Sequence, residues 1–145
     1  MKENIKKLNE LLSNLEVYNV KLQNYHWNVT GKGFFTTHEK LEEYYEEART
    51  QIDEIAEYIL AMGYQPLGTM KSFLESSEIK EAQNDKIKTL DIVEKVKEDI
   101  EILMKKVIQI KQNAEKDLDY GTSSLMDEYI KSYAKKLWML KECEK

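Results

Sequence analysis

Residues 38–63 read HEKLEEYYEEARTQIDEIAEYILAMG, from His38 to Gly63. No proline interrupts this stretch, and it is rich in Glu, Ala and Leu, which are good helix formers. It should be one long helix closed by Gly63. Along one edge it carries four side chains able to bind a metal: His38, Glu42, Asp53 and Glu57. At about 100° per residue these fall within an arc of roughly 100°, so they share a face. They do not share a location. His38 and Asp53 lie about 22 Å apart along the axis, whereas a metal ion holds its donors within about 2–2.6 Å. One helix cannot give both pairs to one ion.

The spacing has a further property. Positions 38 and 57 share their midpoint, 47.5, with positions 42 and 53. If two copies of the helix cross antiparallel about a twofold axis near Ala48, His38 and Glu42 of one copy face Asp53 and Glu57 of the other. Two equivalent sites per dimer result, and the small Ala48 permits a close crossing. The plainer reading is a solvated acidic face. Against it, like charges at i,i+4 repel by a few tenths of a kcal/mol, and the His38–Glu42 pairing suits a metal.

Outward from this helix, residues 4–29 form a first helix, with Leu8, Leu11, Leu12, Leu15, Tyr18, Leu22, Tyr25 and Val29 recurring mostly at steps of three and four. His26 falls on that apolar face and points inward or toward an interface. It is either a satisfied core residue or a ligand. Thr30, Gly31 and Gly33 break the helix, and Thr36 or Thr37 could cap the second. Pro66 and Gly68 make a turn, and Thr69 can cap a short helix from about Met70 to Glu75. Residues 76–88 are polar and unperiodic and should be a loop. A third helix, about Thr89–Asp117, buries Leu90, Val93, Val96, Ile100, Leu103, Val107 and Ile110. Asp119-Tyr120-Gly121 breaks it. A fourth, about Ser123–Glu142, turns Leu125, Met126, Ile130, Tyr133, Leu137 and Leu140 inward. Four long amphipathic helices with a long central link predict an all-α, ferritin-like four-helix bundle, with residues 1–145 as one domain.

Composition narrows the function. A net charge of −5 offers no overall basic field for DNA or an anionic membrane. The N-terminus MKENIKKLNE has no apolar signal core, and no apolar run approaches the roughly 20 residues of a membrane span. A cytoplasmic protein is expected. The single cysteine, Cys143, has no thiol partner and reads as a tail residue. The usual di-iron bundle needs two Glu-x-x-His motifs. Here Gln23 and Phe35 precede His26 and His38 by three positions. A centre inside the bundle is therefore disfavoured and a shared one favoured. Imidazole with carboxylates suits Fe(II), Zn or Mn without selecting among them.

The chain resembles the Dps family, the starvation-induced miniferritins. The resemblance is carried by Tyr25-His26-Trp27-Asn28-Val29-Thr30-Gly31, by His38 with Leu41-Glu42, and by Asp53-Glu54-Ile55-Ala56-Glu57. Gly63, Pro66, Gly68 and Thr69 match the family's turn, and Trp138 its last helix. It implies a dodecameric shell of four-helix subunits with a short extra helix in the link. It implies a ferroxidase centre at the twofold interface, with His26, His38 and Glu42 from one subunit and Asp53 and Glu57 from the other. It also implies iron oxidation, preferentially by hydrogen peroxide, and storage of ferric mineral in the cavity. Trp27, beside His26, is expected either to donate electrons to stray oxidants or to anchor an interface. Two positions depart from the pattern: Glu42, where members often carry aspartate, and Tyr58, where many carry arginine.

Two other functions are open to this sequence. As a DNA-compacting protein it would need a basic tail, but Lys2, Lys6 and Lys7 are interleaved with Glu3 and Glu10, and Lys141 and Lys145 with Glu142 and Glu144, so weak binding is expected. A helical oligomer without metal is the third reading. Asp117, Asp119 and Asp127 flank the start of the last helix, where the family places its threefold entry pores. Their alternative role is ordinary capping.

Overall fold

The computed structural model describes residues 2–145. Its four long helices are α1 (Lys2–Asn28), α2 (Phe34–Ala61), α4 (Thr89–Lys116) and α5 (Tyr120–Cys143). The short α3 (Met70–Ser76) lies in the long link. α1 packs on α2 and α4 on α5, with α1 also against α4 and α3. The fold is the ferritin-like bundle with one crossover. Leu8, Leu11, Leu15 and Leu22 of α1, Ile55 and Ile59 of α2, Ile100, Leu103 and Ile110 of α4, and Met126 and Tyr133 of α5 are buried in its centre.

The crossover is held by asparagines that sit on an otherwise apolar face. Asn14 is fully buried. Its side-chain oxygen accepts hydrogen bonds from the Glu78 and Ile79 amides, at 2.8 and 3.0 Å, and from the Ser77 hydroxyl at 3.1 Å. The Asn9 side chain accepts from the Leu67 amide at 2.9 Å. A buried loop must find partners for its backbone groups, and α1 supplies them. Thr69 caps α3 with a reciprocal Thr69–Ser72 capping box. Gly63, at φ 88°, ends α2 in a Schellman arrangement, with the Tyr64 amide donating to the Ile59 carbonyl at 3.1 Å.

Several sequence expectations need correction. α1 stops at Asn28, because Val29-Thr30 (β1) pairs in parallel with Ile87-Lys88 (β2). α2 starts at Phe34, with Gly33 at its N-cap and no side-chain cap, so neither Thr36 nor Thr37 caps it. The Thr37 hydroxyl turns instead to Thr89. Leu90 is 62% exposed, and the buried stripe of α4 begins at Ile92 and Val93. The break before α5 includes Asp119, as expected, but it centres on Leu118, which takes a left-handed φ of 58°, while Tyr120 and Gly121 already lie in the first turn of α5. Gly121 is needed for another reason. A Cβ there would run into the Tyr58 hydroxyl, which packs over it and hydrogen-bonds with Thr122 at 3.3 Å.

Candidate metal centre

His26 sits in the last turn of α1 and His38 in the second turn of α2. The chain reverses between them through Gly31 and Gly33, at φ 93° and 82°, a backbone that favours glycine. The β1–β2 pairing and a hydrogen bond from the Thr89 hydroxyl to the Lys32 carbonyl, at 3.0 Å, pin the reversal to α4. The two imidazoles stack with centroids 3.7 Å apart and planes 10° apart, and Phe34 stacks on the outer side of His38 at 5.2 Å.

Each histidine is locked by the other's backbone. His26 Nδ1 lies 2.6 Å from the His38 carbonyl oxygen, and His38 Nδ1 lies 2.6 Å from that of His26. A carbonyl only accepts, so both Nδ1 atoms carry the proton. Both Nε2 atoms then present lone pairs in the neutral ring. This is the outer-shell arrangement that orients metal-binding histidines. His26 is buried, yet its Nε2 lies 3.5 Å from Oε1 of Glu42, whose side chain is half exposed. Two donors held about 2.1 Å from one ion at a tetrahedral angle are about 3.4 Å apart. The pair therefore has the spacing of two ligands to one cation.

Three residues missed by the sequence reading complete this corner. Phe34 is the stacking partner of His38. Tyr45 meets His26 edge-on at 5.5 Å and donates its hydroxyl to Glu42 Oε1 at 3.4 Å. The Arg49 guanidinium lies over the Tyr45 ring at 4.6 Å. Desolvation first, then the Glu42 charge, raises the Tyr45 pKa above that of an ordinary phenol, so it remains a donor at neutral pH. The signal was present: Glu42, Tyr45 and Arg49 follow at steps of three and four and so share a helix face.

Asp53 and Glu57 lie farther along α2, exposed, and their side chains make no hydrogen bond or ion pair with other described residues. Among the described residues no three His, Cys, Asp or Glu side chains converge on a point able to hold a metal. Within one chain, then, the histidine end and the acidic end of the face stay apart. Trp27 is 66% exposed on the last turn of α1. The polar groups between α2 and α5 are committed to one another. Glu47 accepts from Lys136 at 2.6 Å, from Gln51 at 3.1 Å and from Ser132, while Tyr133 donates to Gln51 at 2.9 Å and Tyr129 to Glu54 at 3.0 Å.

The three aspartates near the last helix separate. Asp119 is buried, caps α5 by accepting from the Thr122 amide at 3.3 Å, and accepts from the Asn4 side chain at 3.0 Å. It plays the capping role, not that of a free pore carboxylate. Asp127 pairs with Lys111 at 2.7 Å, and Asp117 is the C-cap of α4.

Comparison with known proteins identifies the family of the fold. The ferritin-like domain family matches residues 5–144. The DNA protection during starvation protein 2 of Bacillus anthracis is 41% identical over 143 residues, covering 97% of this chain and 95% of that protein. The crystal structure of a Dps protein from Bacillus brevis superposes with a TM-score of 0.96 at 35% identity, covering 99% of this chain and 96% of that one. A Dps protein from Vibrio cholerae O1, described as a member of a broad superfamily of ferritin-like diiron-carboxylate proteins, gives the same TM-score of 0.96, also at 35% identity, over 99% of this chain and 90% of that one. The chain is a ferritin-like protein, and within that class it belongs to the Dps family.

Proposed function

We propose that this chain is a ferroxidase and iron store. Its sites are completed between two copies: His26, His38 and Glu42 from one, Asp53 and Glu57 from the other. It oxidises Fe(II), preferentially with hydrogen peroxide, and keeps the ferric mineral inside a dodecameric shell in the cytoplasm. The observation that supports this reading is the mutual lock of His26 and His38, which turns both Nε2 atoms away from the backbone, with that of His26 3.5 Å from Glu42, together with an incomplete ligand set among the described residues of the single chain. The antiparallel crossing inferred from the sequence supplies the missing carboxylates.

The chemistry follows from the donors. Asp53 and Glu57 bring negative charge that favours Fe(III) over Fe(II). So few protein ligands leave coordination positions open for peroxide. Two Fe(II) ions each give one electron to one peroxide. The O–O bond breaks and both oxygens leave as hydroxide or water, without free hydroxyl radical. Trp27, next to His26 in sequence, is assigned the donation of electrons to stray oxidants. Removing Fe(II) and peroxide together accounts for a DNA-protecting role like that in the relatives' names, without tight binding to DNA.

Complementation across the twofold tests the assignment. His38→Ala keeps Asp53 and Glu57, and Asp53→Ala keeps both histidines. Each homomeric variant should oxidise Fe(II) slowly with peroxide. Every mixed dimer has one site missing both ligands and one complete site, so co-refolded mixtures should regain activity at up to about half of the sites in mixed dimers. Subunit mixing, verified by differential tags, without any recovered oxidation would refute the shared site.

A further inference from the structure

We infer that Tyr45 is a positioning residue for the metal-binding carboxylate of Glu42, an inference that rests on the shared-site reading above. Glu42 has one more methylene than the aspartate that family members often carry at this position, so it has one more torsion to fix. Its side chain is half exposed. Oε1 nevertheless lies between two groups, 3.5 Å from His26 Nε2 and 3.4 Å from the Tyr45 hydroxyl. The Tyr45 bond is the only hydrogen bond to this carboxylate among the described residues.

Tyr45 is itself held on two sides. Its edge meets the buried His26 ring at 5.5 Å and 86°, and the Arg49 guanidinium covers it at 4.6 Å. The hydroxyl therefore has a fixed origin relative to His26. A donor fixed in that way restricts the longer carboxylate to positions near Nε2, and it leaves Oε2 and the second lone pair of Oε1 for a cation. Sequence spacing alone makes residues 42 and 45 neighbours on the helix. The packing of Tyr45 on His26 ties that local pair to the histidine lock.

The test uses the assembled protein and Co(II) under anaerobic conditions as a spectroscopic probe of the Fe(II) position. In the unmodified protein, Co(II) should give a visible band that His38→Ala abolishes. Tyr45→Phe keeps the ring and removes only the hydroxyl. It should weaken Co(II) binding about three- to tenfold, the range for losing a hydrogen bond to a partly screened charge. It should also alter the band shape and raise the apparent KM for Fe(II) while kcat changes little. Glu42→Asp draws the carboxylate back from Tyr45, so in that background Tyr45→Phe should change the affinity by less than about twofold. Equal losses in both backgrounds would show that the hydroxyl does not act through Glu42 and would overturn the proposal. So would a fall in kcat at unchanged Co(II) affinity. A Co(II) band indifferent to His38→Ala would instead remove the underlying site reading, and this proposal with it.

Discussion

His26 and His38 fix each other through main-chain oxygens: each Nδ1–H donates at 2.6 Å to the carbonyl of the other residue. Replacing either histidine with alanine removes the one bond that its ring donates and keeps the bond that its carbonyl accepts, so the two variants differ through burial and not through the bonds. In His38→Ala the backbone acceptor for His26 survives, so His26 keeps its tautomer, while the His26 carbonyl loses its donor. We expect a stability loss of about 1 kcal/mol with helix content unchanged, and at least about tenfold weaker Zn(II) binding from the lost ligand. His26→Ala should cost more stability, because His26 is buried. Denaturant melts paired with Zn(II) calorimetry measure both effects. Equal melts for the two variants would contradict this asymmetry.

Lys21 and Asp99 form a buried ion pair between α1 and α4, with Nζ 3.0 Å from Oδ2 and 3.2 Å from Oδ1. Burial raises the Asp99 pKa against the opposing pull of Lys21. The folded carboxyl therefore binds its proton at higher pH than the unfolded one. Its contribution to stability is greatest in acid and falls as pH rises through the folded pKa. Lys21→Met removes the compensating charge and should cost about 3–5 kcal/mol near pH 7, with part of the loss recovered on acidification. Asp99→Asn in the Lys21→Met background should restore most of the loss at neutral pH. Unfolding curves at several pH values decide; a pH-independent Lys21→Met penalty would count against the linkage.

Tyr58 and Gly121 fit as a pair. Gly121→Ala should destabilise the protein by about 1–3 kcal/mol, because the new methyl meets the Tyr58 hydroxyl. Tyr58→Phe removes that oxygen and should relieve part of the penalty. A double-mutant cycle with no coupling would sever the link between Tyr58 and the start of α5.

Leu118 is the one non-glycine residue with positive φ among those described, and it is exposed at the end of α4. The Asp119 amide donates to the Ala114 carbonyl at 2.8 Å, so Leu118 holds the position that usually goes to glycine. Leu118→Gly should stabilise the protein by about 1 kcal/mol, which a thermal melt would show as a higher Tm. A lower Tm would mean that the leucine side chain contributes more than its backbone costs.

DNA affinity should be slight at physiological salt, since the chain carries a net charge of −5 and both ends mix lysines with glutamates. In a gel shift, micromolar protein should leave plasmid mobility unchanged. Retardation that fades with added salt would reveal a local basic surface that outweighs the net charge.

The sequence by itself determined the helices and one face of the candidate site. Helix boundaries follow local chemistry: Thr69 caps and Gly63 stops because neighbouring backbone groups need them. The 3.6-residue period put His38, Glu42, Asp53 and Glu57 on one edge of α2, and it placed His26 on the apolar side of α1. Tertiary structure alone decided the rest. The rings of His26 and His38 meet because the 29–33 reversal is tied to α4 by Thr89 and the β1–β2 pairing, contacts nearly sixty residues away in sequence. Asn14 reads as a flaw in an apolar stripe until the 77–79 loop settles on it. Gly121 looks like a helix breaker but serves a close approach by Tyr58, and Leu118 takes the strained turn instead. A buried polar group or a close contact is defined by what arrives opposite it, and that partner comes from a distant part of the chain.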